Sequence, residues 1–579
     1  MRVSPALYGP FVSRAGLPAA VALGALVVAW ALPLQSVGCG HNAHYAATRS
    51  FANGTSFIDR YAQETCDVVQ RGDHTYASKG PALDFWAAPW YLLLHALHAV
   101  PPNPNAGQAY PAAMVGVPPR AVWQIGLWAV VLPGLALLLL VRRTTERLEP
   151  GLGTAAAVVL GLGTLVLPFS TLLFAHVPAA MLAFASFALL FGGAGLRRVA
   201  AAGACAGLAI STDLPLAVPA ILLGLYAAAS APHLRRLAVF AAGGLAGLLP
   251  LFAFDVWAFG SPFRNAYQGT AIDPGAGGVE QAHAHNLFYT LTSPHPSFAV
   301  DMLLSQRGLL VLSPVVAAGA AGVLLLWRRG LRAEAALIGA LCVAELAWDM
   351  FRPTYVLALG GWVPGPRFLI PLLPFLCFAF APVLRRVPAT AVALALVSIG
   401  AMLVATSAEP LLSNDDTHLW ITRITHGNFA PTVFSLAGIG HGWLAILPFY
   451  AVAAVALVAA AVATPLTFAR RDLVPAAAAL VAWIVVEHGA PALLEVDRLV
   501  HQSYGAIAAV ALVAGLTWAF LLLHRRGFPA ALPALPLLAF AARRFDEHTK
   551  WAALLALLVL AALAASERLR LRGSRPASA

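Results

Sequence analysis

Residues 72–93 read GDHTYASKGPALDFWAAPWYLL. A polar, ionisable cluster runs straight into an aromatic, proline-bearing apolar segment. Lys79, at its centre, is one of two lysines in the chain, the other being Lys550, and Asp67, Asp73 and His74 precede it. The chain around it has 579 residues, of which 60% are hydrophobic and 11% charged. Soluble domains carry about 25% charged residues, so the cluster stands out against a background suited to hydrocarbon. Its meaning depends on which side of a membrane it occupies.

Apolar segments approaching the roughly 20 residues of a membrane span recur from residue 17 to residue 566. Between them stand arginine pairs: Arg142–Arg143, Arg197–Arg198, Arg235–Arg236, Arg328–Arg329, Arg385–Arg386, Arg470–Arg471 and Arg525–Arg526. Most intervals between pairs hold enough apolar sequence for two crossings. Placing every pair in the cytoplasm keeps the parity throughout and puts the N-terminus inside. The expected spans are 17–36, 121–141, 152–169, 177–195, 199–212, 214–230, 236–258, 308–327, 333–350, 368–384, 388–406, 437–464, 473–489 and 504–523, with a last hairpin of 527–541 and 551–566. The fold class is therefore an all-α polytopic membrane protein of roughly 14–16 transmembrane helices. The net charge of +11 sits largely in those pairs, so it reports topology and excludes nucleic acid as a partner. Residues 17–35 lack a convincing small-residue cleavage site and read as a retained first span.

On this topology the long loops 37–120, 259–307 and 407–436 and the shorter 351–367 face outward, and inward loops are little more than arginine pairs. Polar chemistry is thus gathered on one face, where a transporter would carry it near the midplane. In the first outer loop, HYAATRSFA predicts a short helix lying on the surface, with Tyr45, Ala46, Phe51 and Ala52 as its apolar face and Asn53–Gly54 as its stop. Residues 85–100 predict a helix at the outer interface, because a crossing there would break the arginine parity. Cys39 and Cys66 both fall in this loop and form a candidate disulfide in an oxidising compartment.

The stretch HNAHYAATRSFANG followed by HTYASKGPALDFWAAPWYLL resembles the first extracytoplasmic loop of the GT-C glycosyltransferase superfamily, near the lipid A aminoarabinose transferase and the protein O-mannosyltransferases. YASKGPALDFW stands where those enzymes carry a Y-x-x-K-P-P type turn. TLLFAHVPAAMLAF (171–184), FGSPFRNAY (259–267), SQRGLLVLSP (305–314) and GGWVPGPRFLIPLLPFL (360–376) look like motifs of bacterial proteins related to these enzymes. The resemblance covers roughly residues 17–385. It implies a GT-C-like catalytic module over residues 1–386, with C-terminal helices over 387–579. It also implies a sugar transfer from a polyprenyl-phosphate donor to an envelope glycan, lipid or protein, on the extracytoplasmic face of a bacterial inner membrane. A lipid-linked sugar donor and membrane lipids are the implied partners, and the oligomeric state is left open.

That chemistry needs a carboxylate to take the acceptor's proton, cations to hold the departing phosphate, and a groove for the isoprenoid tail. The family's acid follows the first span directly, but this sequence has GHNAHY there, with no carboxylate. Asp59 is the first candidate base and Asp67 the second. The departure also leaves open a protein that binds a lipid-linked sugar without transferring it, beside the further alternative of a lipid-linked saccharide flippase. Lys79, Arg307 and Arg367 are the candidate phosphate-binding cations. Asn42, His44, Tyr76 and His176 are further site candidates. Some relatives use a divalent metal ion, for which His283 and His285 are the candidate ligands; polar loop residues are the competing reading.

Overall fold

The structure, a computed structural model, describes residues 16–500 apart from 269, 274–278, 284–293, 353–357, 362 and 412–417. The expected spans 504–523, 527–541 and 551–566 lie outside the described residues, as does His285.

The chain enters as α1 (Gly16–Ala31). This helix stops short of the expected residue 36, because Leu32 precedes Pro33 and is steered out of the helical region. The first outer loop then holds α2 (Cys39–Ala52), strands β1 (Val68–Arg71) and β2 (His74–Ala77), and α3 (Ala82–Ala96). The helical bundle continues with α4 (Pro119–Leu148), whose course includes a π-helical turn at Leu127–Val131. Next come α5 (Gly153–Gly163), α6 (His176–Leu190), α7 (Leu196–Thr212), α8 (Ala217–Ala228) and the bent pair α9 (His233–Gly247) and α10 (Leu249–Phe259). In the second outer loop lie β3 (Thr270–Asp273), β4 (Val279–His283) and α11 (Pro296–Leu304). Then follow α12 (Val315–Arg328), α13 (Arg332–Asp349), α14 (Leu373–Arg386), α15 (Pro388–Ser407), α16 (His418–Thr425), α17 (Trp443–Ala463) and α18 (Leu473–Val500).

Five of the described helices are long and apolar enough to cross a membrane, and up to seven spans result if each bent pair counts as one. Several others are shorter than the sequence suggests, for local reasons. The expected span 152–169 breaks after Gly163, and 308–327 breaks at Pro314, with the preceding helical segment Pro296–Leu312 set at 92° to α12. At 437–464, glycines 438 and 442 adopt positive φ and delay the helix to Trp443. The 11-residue α5 is buried along its whole length. It packs on α1, α4, α14, α15 and α17, so protein replaces lipid around it. Helices on both sides of residue 386 contribute to this one core.

Members of three of the arginine pairs, Arg236, Arg329 and Arg385, gather at one end of the bundle. Glu149, between α4 and α5, pairs with Arg329 and, at 3.3 Å, with Arg385, and Arg147 donates to the Phe191 carbonyl at 2.7 Å. Arg236 donates to the Ala194 carbonyl at 2.6 Å. α6 ends beside this basic assembly and begins at His176. α14 likewise ends at Arg385–Arg386, and a 3-10 turn (Arg367–Leu372) leads into it. The polar loops therefore share the opposite end of the bundle.

Helix packing there leans on small residues. Along α7 and α9, Gly203 and Gly207 face Phe240, Gly244 and Gly247 so closely that a Cβ on Gly207 would sit 2.1 Å from the Gly244 carbonyl oxygen. This is the small-residue contact that lets membrane helices approach. Gly207→Ala is expected to cost about 1–3 kcal/mol through overpacking. Gly339→Ala on α13, where a Cβ meets nothing within 4 Å, is expected to be neutral. Thermal unfolding of both variants in one detergent checks the pair.

α2 differs from its expectation. It ends at Asn53, with Gly54 at φ 77°, but residues Gly40 to Ser50 are buried instead of lying on the surface. The loops fold over it: β1 and β2 from the first outer loop join β3 and β4 from the second in an antiparallel sheet of order β2-β1-β3-β4. α3 covers another side, and its Trp86, Leu92 and Leu93 remain exposed, as suits a helix at the membrane interface.

Candidate functional site

Three loops meet at the ends of α6, α7 and α14 that lie away from Arg329 and Arg385. The first is tied at its base, where Cys39 and Cys66 form a disulfide. Thr65 adds to the tie by donating from Oγ1 to the Cys39 carbonyl at 2.7 Å and accepting the Asp67 amide at 3.1 Å. Asp67 is thereby fixed beside the start of α2, where Gly40 lets Phe174 approach. A Cβ at Gly40 would lie 2.4 Å from the Phe174 ring and 3.5 Å from Asp67 Oδ2.

Lys79 Nζ donates to Asp67 Oδ2 at 2.6 Å. The next residue, Gly80, sits against the C-terminus of α7, where a Cβ would be 2.5 Å from the Thr212 carbonyl oxygen. That close approach brings Lys79 near Asp213, the residue following α7. Asp213 in turn lies 2.7 Å from His176 Nδ1 at the start of α6. Phe174 forms the hub: its ring meets His41 edge-on at 4.8 Å and stacks on His176 at 5.8 Å, and the Arg367 guanidinium lies 5.0 Å from its centroid. Arg367 also covers Phe368 at 5.2 Å, and Arg352 lies over Phe368 at 4.4 Å while reaching Asp349 at 3.2 Å.

The electrostatics favour an ionised acid–cation cluster. Burial by itself would raise the Asp67 carboxyl, but Lys79 and Arg367 outweigh it and hold the group below the usual carboxylate range. Asp213 follows the same pattern, burial being overcome by His176, Arg367 and Lys79. His41 goes the other way. Burial, helped by His44, Arg367 and Lys79, pushes it down to about 3, so its ring is neutral. Behind α2, His44 Nδ1 lies 2.9 Å from Asp84 Oδ1, both buried, and burial raises the Asp84 carboxyl.

The candidates named from sequence divide into two groups. Lys79, Asp67, His176 and Arg367 come together around Phe174, with His44 in the layer beneath. The others stand elsewhere. Asp59 is on a partly exposed turn, 2.7 Å from His74 Nδ1 and accepting the Thr75 amide at 2.6 Å. Asn42 donates to the carbonyls of Glu64 and Met114 at 2.7 and 3.2 Å. Tyr76 is buried, packing on Phe259 at 4.8 Å. Arg307 is almost fully buried and donates to the carbonyls of Gly361 and Val363 at 2.7 and 2.8 Å, bracing the loop that leads to Arg367. His283 ends β4, opposite Thr270. Among the described residues no three His, Cys, Asp or Glu side chains are grouped to hold a metal ion. Asp213, Asp84, Phe174 and Arg352 escaped the sequence reading. Of these, Asp213 had a signal, as a lone acid in STDLPL between two outward-ending apolar segments.

The disulfide has a checkable consequence. Reducing it, or replacing Cys39 and Cys66 by Ser, frees the Asp67 backbone from α2. Thermal stability is expected to fall with little change in helix content, as read by the unfolding midpoint beside circular dichroism of the same sample.

No family model matches the chain, and no curated protein matches it. Among solved structures it is similar to ArnT from Cupriavidus metallidurans in the apo state, at 17% identity over 87% of this chain and 79% of that one with a TM-score of 0.45. It is also similar to the same enzyme bound to undecaprenyl phosphate, at 17% identity, 91% and 75% coverage and a TM-score of 0.38. A third is the apo oligosaccharyltransferase of Archaeoglobus fulgidus, at 12% identity, 86% and 60% coverage and a TM-score of 0.35. The likeness is one of overall helical course, and no residue role is taken from it.

Proposed function

We propose that this chain is a membrane glycosyltransferase of the GT-C type. In this reading it moves a sugar from a polyprenyl-phosphate donor to a hydroxyl-bearing envelope acceptor at the extracytoplasmic face of a bacterial inner membrane. The observation that carries the reading is the Asp67–Lys79 pair with Arg367 around Phe174, set at the bundle end opposite the arginine pairs. A lipid phosphate entering at headgroup level meets two cations there, with the apolar, aromatic α3 beside it for the tail.

The step balances as follows. The acceptor oxygen attacks the anomeric carbon, the bond from that carbon to the phosphate oxygen breaks, and its electron pair leaves with the lipid phosphate. The hydroxyl proton passes to Asp67. Lys79 links the two halves: free protein holds it on Asp67, and donor phosphate competes for it. As the phosphate takes Lys79, Asp67 loses the neighbour that depresses its proton affinity and becomes a stronger base. Arg367, on the far side of the cluster's charge, offers a second donor to the phosphate whose charge grows in the transition state. Asp67 thus replaces Asp59 as the proposed base.

Binding of polyprenyl phosphate without sugar, measured in nanodiscs by competition with a labelled analogue, tests the phosphate site. Arg367→Gln is expected to weaken it by about tenfold or more, the weight of a charge-assisted hydrogen bond. Unchanged binding in both Arg367→Gln and Lys79→Gln would remove the site.

A further inference from the structure

His176 and Asp213 belong to the cluster but have no part in the transfer step, and they form a pair of their own. Asp213 follows the last turn of α7, where its amide donates to the Ala209 carbonyl at 2.9 Å. Its Oδ2 lies 2.7 Å from His176 Nδ1 at the start of α6. Asp213 is ionised, burial being outweighed by its neighbours, and an ionised carboxylate can only accept. Nδ1 therefore carries the hydrogen, and Nε2 is left as the free nitrogen of the ring. It makes no hydrogen bond with any described residue.

Three aromatic rings hem the imidazole in. Phe174 stacks on it at 5.8 Å, and Phe169 and Phe368 meet it edge-on at 5.8 and 5.5 Å. The pair is nevertheless not sealed, since the His176 side chain is 7% and the Asp213 side chain 13% exposed. Two of the same rings place it in the site: the Arg367 guanidinium lies 5.0 Å from the Phe174 centroid and 5.2 Å from that of Phe368. Gly80, packed on the Thr212 carbonyl, brings Lys79 toward the other member of the pair. His176 and Asp213 thus stand beside both cations proposed for the phosphate. The atom bonded to that phosphate is the anomeric oxygen, so the sugar's first carbons come closest to these two side chains. Neighbouring cations favour a neutral ring, whose free Nε2 accepts. An acceptor next to a carboxylate suits a donating hydroxyl and disfavours an acidic sugar.

We propose that His176 reads the donor's sugar: Nε2 accepts a hydrogen bond from a hydroxyl next to the anomeric carbon of a neutral hexose or pentose. Asp213 is the positioning residue that fixes the ring. The proposal rests on the transferase reading, since it names the sugar contact of that donor site. Asp67 keeps the acceptor's proton, so base and sugar reader are separate groups.

The test uses the full chain in nanodiscs and measures binding of polyprenyl phosphate and of its glucose, mannose and arabinose esters. The readout is the ratio of sugar-bearing to sugar-free affinity. Amide substitutions separate the two ring nitrogens: Asn can still donate to Asp213 from near the Nδ1 position but has nothing at Nε2, whereas Gln reaches the Nε2 position with an acceptor oxygen. His176→Asn is expected to lower the ratio about 2–10-fold for the preferred sugar, the weight of one uncharged hydrogen bond, with sugar-free binding unchanged. His176→Gln is expected to keep most of the ratio. Asp213→Asn is expected to lower it by a smaller factor, and an unchanged ratio there would take the positioning role from Asp213. A merely structural bond between the two residues would reverse the order, with Asn tolerated and Gln not. That reversed order, a wild-type ratio in His176→Asn, or a wild type that binds no sugar ester better than polyprenyl phosphate would overturn the proposal. Lys79→Gln and Arg367→Gln are measured beside them and are expected to weaken all carriers alike. Carriers indifferent to both refute the phosphate site; carriers weakened by both, with a ratio untouched by His176→Asn, refute the sugar contact alone.

Discussion

Asp67→Asn is expected to lower kcat by about 10²–10⁴-fold, the usual weight of a general base, without weakening donor binding. The substitution keeps the side chain's size and the disulfide beside it, and removes the charge to which Lys79 donates in the free protein. The donor phosphate then meets a lysine with less competition, so KM for the donor stays level or falls. A structural role would behave differently: it would lower folded yield, or kcat and binding together. Asp59→Asn is the comparison. Asp59 is tied to His74 and the Thr75 amide on a partly exposed turn and is expected to cost little. Steady-state kinetics of both variants decide between the two acids.

Lys79→Gln is expected to act on the other parameter. Losing a hydrogen bond to a charged group costs about 1.5–3 kcal/mol, so donor affinity should fall about 10–100-fold. It also has a pH signature. Lys79, with Arg367, depresses the Asp67 carboxyl against the pull of burial. The acid limb of kcat/KM, which reports the free enzyme, therefore lies below the ordinary aspartate value of about 3.9 in the wild type. In Lys79→Gln it moves to higher pH. Stability follows the same sign. A depressed carboxyl stabilises the folded state above the unfolded value, and that contribution is lost as pH falls through the lower folded value. An acid limb that stays in place in Lys79→Gln would show that the pair does not govern Asp67.

The bundle was legible because bilayer physics writes itself into one dimension. Apolar runs marked out the helices, and the structure brings Arg236, Arg329 and Arg385, from three of the arginine pairs, to one end of the bundle. Helix lengths were less legible, since α5 needs no lipid-spanning length when five helices surround it. The sheet was missed for a related reason: β1 pairs with β3 from a loop some 200 residues later, a register that neither segment announces alone. At the site, Lys79 and Arg367 were visible as cations on a face that disfavours them. Asp67 was harder to rank above Asp59, because what separates them is the bond of Cys66 to Cys39 and the gap left by Gly40. Phe174 matters through contacts between loops distant in sequence, which no local pattern encodes, and Asp213 was marked only by standing alone between two apolar segments.

The most direct measurement is release of labelled sugar from a panel of polyprenyl-phosphate sugars by the purified chain in nanodiscs, with an envelope lipid extract as acceptor. For at least one donor, label should leave the carrier and free polyprenyl phosphate should appear one for one. Binding of the donors with no label leaving any of them would contradict transfer and leave a protein that holds a lipid-linked sugar without reacting it.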